Sequence, residues 1–228
     1  MTNCVTASAV VAVAALVFSA AFDGPAVAGG SIAGVVTTRE AAPGPIRVNV
    51  DPRVCGESVK DESLVVDAAG HVSGAVVSLA GVKLPAPAEA AVVNDGCRFV
   101  PRVAVVRPKG TIRMSSRDAV MHTVHAAAPG GKALFNLSLP IPNAVLSRPI
   151  DKPGVVTLSC STHTWMRGYL FVTEDAATLT GADGSFRIDD VPAGTREVRI
   201  WHESLKAAPV WVTVKDGETT TVNVVLTR

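Results

Sequence analysis

The stretch "VVTLSCSTHTWMRGYLFV", residues 155–172, contributes most to the fold prediction. Two segments rich in β-branched and aromatic residues flank a short polar loop, which is typical of two strands joined by a tight connection. In the loop, Cys160, His163 and Met166 follow one another at intervals of three. Residues three apart in a regular strand point to opposite faces. The three side chains therefore converge only if the strand ends at Cys160 and the chain turns.

The remaining chain also has a β pattern. Val and Thr are abundant, Gly and Pro recur at short intervals, and no segment keeps the apolar period of an amphipathic helix. Short strands separated by frequent turn signals are typical of sandwiches and Greek-key barrels. After residue 174 alternating strands become clearer, and "VWVTVKDGETTTVNVVL", residues 210–226, predicts a hairpin around Asp216-Gly217. We therefore predict an all-β protein with a domain boundary near residue 174.

The N-terminal residues predict export. An uncharged apolar run, residues 5–22, precedes the small-residue sequence Ala26-Val27-Ala28, which is typical of a signal peptide and its cleavage site. The alternative is an uncleaved membrane anchor, because the first residues carry no Lys or Arg. We predict cleavage, a periplasmic or secreted protein, and no stable membrane insertion afterwards. The formal net charge of +1 gives no support for nucleic-acid binding.

The cysteine count adds a constraint. Cys4 leaves with the predicted signal peptide, so Cys55, Cys97 and Cys160 remain, an odd number for an exported chain. Cys55 and Cys97 both lie beside glycine in turn-like contexts without neighbouring metal-type residues, and we predict a disulfide between them. Cys160 is then the spare thiol, and it is the one beside His163 and Met166.

A fourth metal donor is available from "DAVMHTVHAA", residues 118–127. His122 and His125 are three apart, so an extended strand brings only one of them to the same side as Cys160. Two imidazoles, a thiolate and a thioether form the donor set of blue-copper electron-transfer sites. Zinc bound by Cys160, His163, His122 and His125 is an alternative. A nucleophilic cysteine and an ordinary buried core are the others, although the loop offers no acid or amide to orient a catalytic histidine.

Residues about 98–173 resemble cupredoxins. The resemblance rests on "FVPRVAVVRPKGTIRMSSRDAVMHTVH" and "CSTHTWMRGYLFV", and it is strongest to the amicyanin-like, methylamine-utilisation members of that family. It implies a cupredoxin-like Greek-key β-sandwich or barrel with one type 1 copper. The implied ligands are His122, Cys160, His163 and Met166. The sequence after residue 174 resembles the carboxypeptidase regulatory-like domain, a small sandwich of the immunoglobulin or transthyretin type.

The predicted organisation follows from these resemblances. It comprises a signal peptide (1–28), a β segment that could complete the C-terminal sandwich (29–60), a cupredoxin-like domain (61–173) and the C-terminal sandwich (174–228). The implied function is one-electron transfer, not enzymatic catalysis, with a redox protein partner such as an amine-oxidising dehydrogenase or a cytochrome. The alternative is a copper chaperone or store, or a non-redox interaction protein on the same scaffold.

The chain departs from the family pattern at three threonines. Thr123 stands where cupredoxins usually carry Asn, and Thr162 and Thr164 stand where amicyanin-like loops carry proline. We expect these changes to loosen the residues that orient the ligands. Trp165, between two of the implied ligands, is expected to pack against the core.

Overall fold

The structure is a computed structural model that describes residue 1, residues 29–140 and residues 142–228. Apart from Met1, the predicted signal peptide lies outside the described residues, as does Cys4. Within the described ranges, no helix has the length and apolar character needed to cross a membrane.

Strands make up most of the described chain, with one short α-helix, α1 (Pro52–Cys55), and a 3₁₀ turn at Pro129–Gly131. In chain order the strands are β1 Gly30–Thr38, β2 Ile46–Arg47, β3 Ser58–Val59, β4 Val65–Val66, β5 Val72–Ser73, β6 Val76–Lys83, β7 Glu89–Asn94, β8 Phe99–Val100, β9 Val103–Val106, β10 Gly110–Ser116, β11 His122–Ala127, β12 Ala133–Leu139, β13 Leu146–Ile150, β14 Gly154–Cys160, β15 Arg167–Val172, β16 Asp175–Leu179, β17 Ser185–Val191, β18 Gly194–Trp201, β19 Val210–Val214, β20 Thr219–Thr221 and β21 Val224–Leu226. The predicted all-β class is confirmed.

The first sandwich consists of two sheets around one apolar core. One sheet has the order β13-β10-β7-β8, and the other has the order β12-β11-β14-β15-β9. The strands alternate buried and exposed residues, as in β10 and β11, so each sheet turns one apolar face inward. The largest side chains that are almost fully buried in this core are Phe99, Ile112, Met114, Leu139, Ile150, Leu158, Met166 and Leu170.

The second sandwich has its own core. One sheet has the order β16-β6-β18-β19, and the other places β1 between β17 and the pair β20 and β21. β1 runs parallel first to β20 and then to β21. Gly34 lies where β1 passes from one to the other, and an added Cβ there would overlap the carbonyl oxygen of Val222. This close backbone approach explains the glycine in the middle of a strand.

The chain passes between the sandwiches repeatedly, which corrects the predicted division of the chain. β1 belongs to the second sandwich, but β2, α1 and β3 pack on the first core, within the predicted segment 29–60. β4, β5 and β6 then return to the second sandwich, where β6 pairs with β16 and β18. Residues 64–84 therefore belong to the second sandwich, although the first domain was predicted to start at residue 61. The chain enters the first sandwich again at β7 and leaves it after β15.

The predicted hairpin around Asp216-Gly217 is wrong. Lys215 and Glu218 form the turn, but β19 pairs with β18 and β20 pairs with β1, in the two opposite sheets. The turn therefore carries the chain across the second core from one sheet to the other. Asp-Gly supplies a tight turn in either case, and the turn alone does not fix the partners of its flanking strands.

The two sandwiches meet through a partly buried polar contact. The guanidinium of Arg102 forms two bonds with the carboxylate of Glu203, one of them from Nη2 to Oε2 at 2.8 Å. The hydroxyl of Tyr169 donates to the same carboxylate at 3.1 Å, and its ring lies edge-on to Trp201. A cavity of about 270 Å³ opens beside this contact.

Candidate metal centre

Antiparallel pairing brings two predicted ligands to one end of the first sandwich. β14 ends at Cys160 and β11 begins at His122, and the two strands pair with Val124 opposite Cys160. The end of one strand therefore lies beside the start of the other. Residues 161–166 form the loop that links β14 to β15, so the strand ends at Cys160, as the sequence predicted. His163 lies in that loop.

Three donor atoms face one another at this end of the sheet. The Nδ1 atoms of His122 and His163 are 3.1 Å apart, and the Sγ atom of Cys160 lies 4.0 Å and 3.7 Å from them. The two histidines are completely buried and Cys160 is nearly so. Nitrogen and sulfur donors at this separation, shielded from water, form a cluster able to hold one metal ion. We call His122, Cys160 and His163 the donor cluster.

The other predicted residues lie at different positions relative to the cluster. Met166 is buried in the first core, and its backbone N–H donates to the carbonyl of His163 at 2.8 Å, which closes the loop into a tight turn. His125 occupies the opposite face of β11, since the buried positions of that strand alternate with it. The zinc alternative that includes His125 therefore lacks one of its four donors in this arrangement.

Asp118 supports the His122 imidazole from the same segment of chain. Its Oδ2 atom lies 2.8 Å from Nε2 of His122, and the carboxylate also accepts the backbone N–H groups of Gly96 and Cys97 at 2.8 Å and 3.0 Å. A carboxylate can only accept, so Nε2 of His122 carries a hydrogen.

Asp51 occupies the corresponding position at the other imidazole. Its Oδ2 atom lies 3.1 Å from Nε2 of His163, although the two residues are 112 positions apart in sequence. Both Nε2 atoms are therefore bonded to carboxylates, and both Nδ1 atoms point toward Cys160. Metal-binding histidines in proteins almost always show this pattern, in which the ring nitrogen remote from the metal donates to a carboxylate or carbonyl.

The buried charges around His122 shift the pKa values of the cluster. Burial alone would lower the pKa of His122, but its bonds to Asp118 and Cys160 and their negative charges raise it to about 9. Burial would raise the pKa of Cys160, yet the bond from His122 and the backbone N–H groups of His163 and Thr123 lower it to about 6. Burial would raise the pKa of Asp118, yet its own hydrogen bond to Nε2 of His122 and the backbone N–H groups of Cys97 and Gly96 hold it below its ordinary value.

These opposite shifts in pKa favour the imidazolium form of His122 and the thiolate form of Cys160. The thiolate is the form of cysteine that binds metals, and a cation entering the cluster would displace the proton of His122. The donor set thus fits a soft or borderline metal ion such as copper.

The predicted disulfide between Cys55 and Cys97 is confirmed, and Cys160 is a free buried thiol. The disulfide lies directly beside the donor cluster, since the sulfur atoms and a ring nitrogen of His163 are all within 4.8 Å of one another. Trp165 packs against the first core, and its Nε1–H donates to the carbonyl of Cys97 at 3.1 Å. The loop of residues 161–166 is therefore hydrogen-bonded to the backbone of a disulfide cysteine.

The sequence reasoning missed Asp118 and Asp51. Asp118 has a local signal, because it precedes His122 by four residues in the quoted ligand segment. Asp51 has none, because its partner lies far away in sequence and only the folded chain brings the two together.

No protein-family model and no curated protein matches the chain. Solved structures similar to it include a cupredoxin and several forms of amicyanin. A purple cupredoxin from Nitrosopumilus maritimus is 22% identical, with a TM-score of 0.33, over 37% of this chain and 99% of its own. The reduced Cu(I) form at pH 4 of an amicyanin variant is 21% identical, with a TM-score of 0.34, over 42% of this chain and 98% of its own. The oxidised state of another amicyanin variant gives the same four values.

Proposed function

We propose that the protein is an exported carrier of single electrons that binds one copper ion in a type 1 site. His122, Cys160 and His163 would hold the metal, and Met166 would be a weak fourth ligand. Copper supplies the one-electron chemistry, since thiolate favours Cu(I) and imidazole accepts both oxidation states. The chain would bind and orient the donors and exclude water from them, and the proton displaced from His122 would be released to solvent.

The observation that supports this proposal best is the orientation of the two imidazoles. Each Nε2 atom is bonded to a carboxylate, and each Nδ1 atom faces the thiol, with all three donor side chains buried. A core stabilised by apolar packing alone does not bring two imidazoles and a thiol together around one point. Such buried polar groups are costly unless they are satisfied by a partner.

Copper titration of the purified protein tests the proposal. We expect Cu(II) to give an intense thiolate-to-copper absorption band and a reversible reduction potential. Cys160→Ser should lose the band, whereas His125→Gln, on the opposite face of the same strand, should keep it. Met166→Ala should still bind copper, with an altered potential. A colourless or redox-silent complex of the unaltered protein would contradict electron transfer and favour copper storage or a non-redox role.

We further propose a location in the periplasm or outside the cell, and a redox protein as partner. An amine-oxidising dehydrogenase or a cytochrome is the class of partner we favour. Mixing the copper-loaded protein with a purified dehydrogenase or cytochrome and following reduction of the absorption band tests this part. Absence of electron exchange with either class would exclude both as partners.

A further inference from the structure

Residues 46–59 form a segment that lies outside the two main sheets of the first sandwich. We call it the strap; it comprises the two-residue hairpin strands β2 and β3 with α1 between them. Val48, Cys55 and Val59 fix the strap to the first core, and each is less than a tenth exposed. The backbone hydrogen bonds of the strap join its own residues to one another, so its position depends on these side chains and on its contacts with the donor cluster.

Asp51 is the residue of the strap that reaches the cluster. Its backbone is left-handed, with φ of 53°, and its carbonyl accepts the N–H groups of Val54 and Cys55 at the start of α1. The side chain is 40% exposed, yet its carboxylate bonds to His163, which is fully buried. A half-exposed acid that reaches a completely buried imidazole is the strap's contribution to the cluster.

The disulfide locks this arrangement in place. Cys55 ends α1, four residues after Asp51, and its bond to Cys97 joins the strap to the loop that accepts Trp165. Trp165 in turn follows His163 by two residues and lies with its ring centroid 5.2 Å from the imidazole. The segment that carries Asp51 and the loop that carries His163 are thus both attached to Cys97, one by the disulfide and the other by the Trp165 hydrogen bond.

The hydrogen bond between Asp51 and Nε2 of His163 has a defined chemical effect on the imidazole. Because the carboxylate can only accept, it retains the ring hydrogen on Nε2 and leaves the Nδ1 lone pair directed at the donor cluster. We propose that Asp51 is the positioning residue of His163, and that the strap exists to hold that tautomer and ring orientation. This inference rests on the proposed function, because the imidazole that Asp51 orients is a proposed copper ligand.

The choice of substitution follows from the backbone of Asp51. Asp51→Gly removes the carboxylate and suits the left-handed backbone, whereas Ala would add strain. Asp51→Asn also tolerates this conformation and keeps a weaker, uncharged acceptor, so it should give a partial effect. Glu57→Gln is the matched control, since Glu57 lies on the same strap and its substitution removes the same charge.

The first measurement uses metal-free protein and needs no copper chemistry. Nitrogen–proton correlation NMR of the imidazoles should show His163 with its hydrogen on Nε2 in the unaltered protein and in Glu57→Gln. In Asp51→Gly both tautomers of His163 should be populated. In Asp51→Asn the fraction with the hydrogen on Nε2 should lie between those of the unaltered protein and Asp51→Gly. A wild-type tautomer in Asp51→Gly would overturn the proposal, and it would do so whether or not the protein binds copper.

The second measurement is Cu(II) affinity. Loss of a carboxylate that supports a metal-bound histidine typically costs about 10–100-fold in metal affinity. We expect a loss in that range for Asp51→Gly, a smaller one for Asp51→Asn and none for Glu57→Gln. Unchanged affinity in Asp51→Gly would overturn the positioning role. If the unaltered protein itself fails to bind copper, the proposed function fails, and the tautomer measurement still decides the role of Asp51.

Discussion

The two imidazoles of the donor cluster are held by different parts of the molecule. His122 bonds to Asp118, a buried acid four residues earlier, and both belong to the first sandwich. His163 bonds to Asp51, a half-exposed acid that reaches it only because the strap packs against the first sandwich. One half of the cluster is thus built locally, and the other depends on a distant segment and its disulfide. The two halves should therefore respond differently to substitution.

The largest expected effect is that of removing the disulfide. Cys55 and Cys97 are 42 residues apart, and closing a loop of that length stabilises a folded chain by about 4 kcal/mol in the chain-entropy description. Cys55→Ser with Cys97→Ser should lower the free energy of unfolding by about this amount, measured by urea denaturation. The His163 tautomer should become mixed, while the hydrogen on Nε2 of His122, which bonds to Asp118, is retained. Equal disturbance of both rings would contradict the division into local and distant halves.

A smaller but still large loss is expected at the local half. Asp118→Ala leaves two backbone N–H groups and the His122 imidazolium without their buried acceptor, which should cost about 3 kcal/mol of unfolding free energy. Asp95→Ala, which removes an exposed acid paired with Arg117, should cost about 0.5 kcal/mol or less. Calorimetry or denaturant titration measures both. Similar losses for the two variants would show that the buried carboxylate is not the support of the local half.

The ionisation of Cys160 sharpens the comparison further. With a pKa of about 6, the thiolate is present above that pH and is lost as the pH falls through it. In a Cys4→Ser background, ultraviolet thiolate absorbance should therefore rise around pH 6. His122→Gln should move this rise toward the ordinary cysteine pKa of about 8.5, and His163→Gln should move it less. A larger shift from His163→Gln would contradict the assignment of His122 as the main partner of the thiol.

The smallest expected effect concerns Trp165. Trp165→Phe keeps most of the packing but removes the Nε1–H that bonds to the carbonyl of Cys97, a loss of about 1 kcal/mol in unfolding free energy. The visible band of the copper-loaded protein should keep its position if this bond only fastens the loop. A lost band would give Trp165 a direct part in ligand geometry.

Several features could be predicted from the sequence, because their signals lie within one short segment or in the number of cysteines. The turn at Cys160 follows from the period of a strand, which cannot bring residues three apart to one face. The disulfide prediction used the odd number of cysteines left after the predicted signal peptide and the glycines beside Cys55 and Cys97. The strand period allowed only one of His122 and His125 beside Cys160, and the resemblance to cupredoxins selected His122.

Other features are not encoded in any one segment. The apolar residues of β6 fit the inner face of either sandwich, and only the pairing of β6 with β16 and β18 decides between them. Asp51 similarly gives no sign of its partner in its own neighbourhood. The hairpin prediction failed for the same physical reason, since a turn sequence specifies a reversal of the chain and leaves the hydrogen-bond partner open.

The threading of the chain through the two sandwiches has a consequence for its folding order. β1 lies near the start of the described chain, yet its partners β17, β20 and β21 come from the last quarter of it. β6 likewise pairs with strands far later in the chain, β16 and β18. During synthesis, β1 therefore has an unpaired edge until β21 has been made, and β6 has one until β18 has been made. Unpaired strand edges promote aggregation. A chain cut short after residue 174 would lack all these partner strands and would therefore leave those edges unpaired.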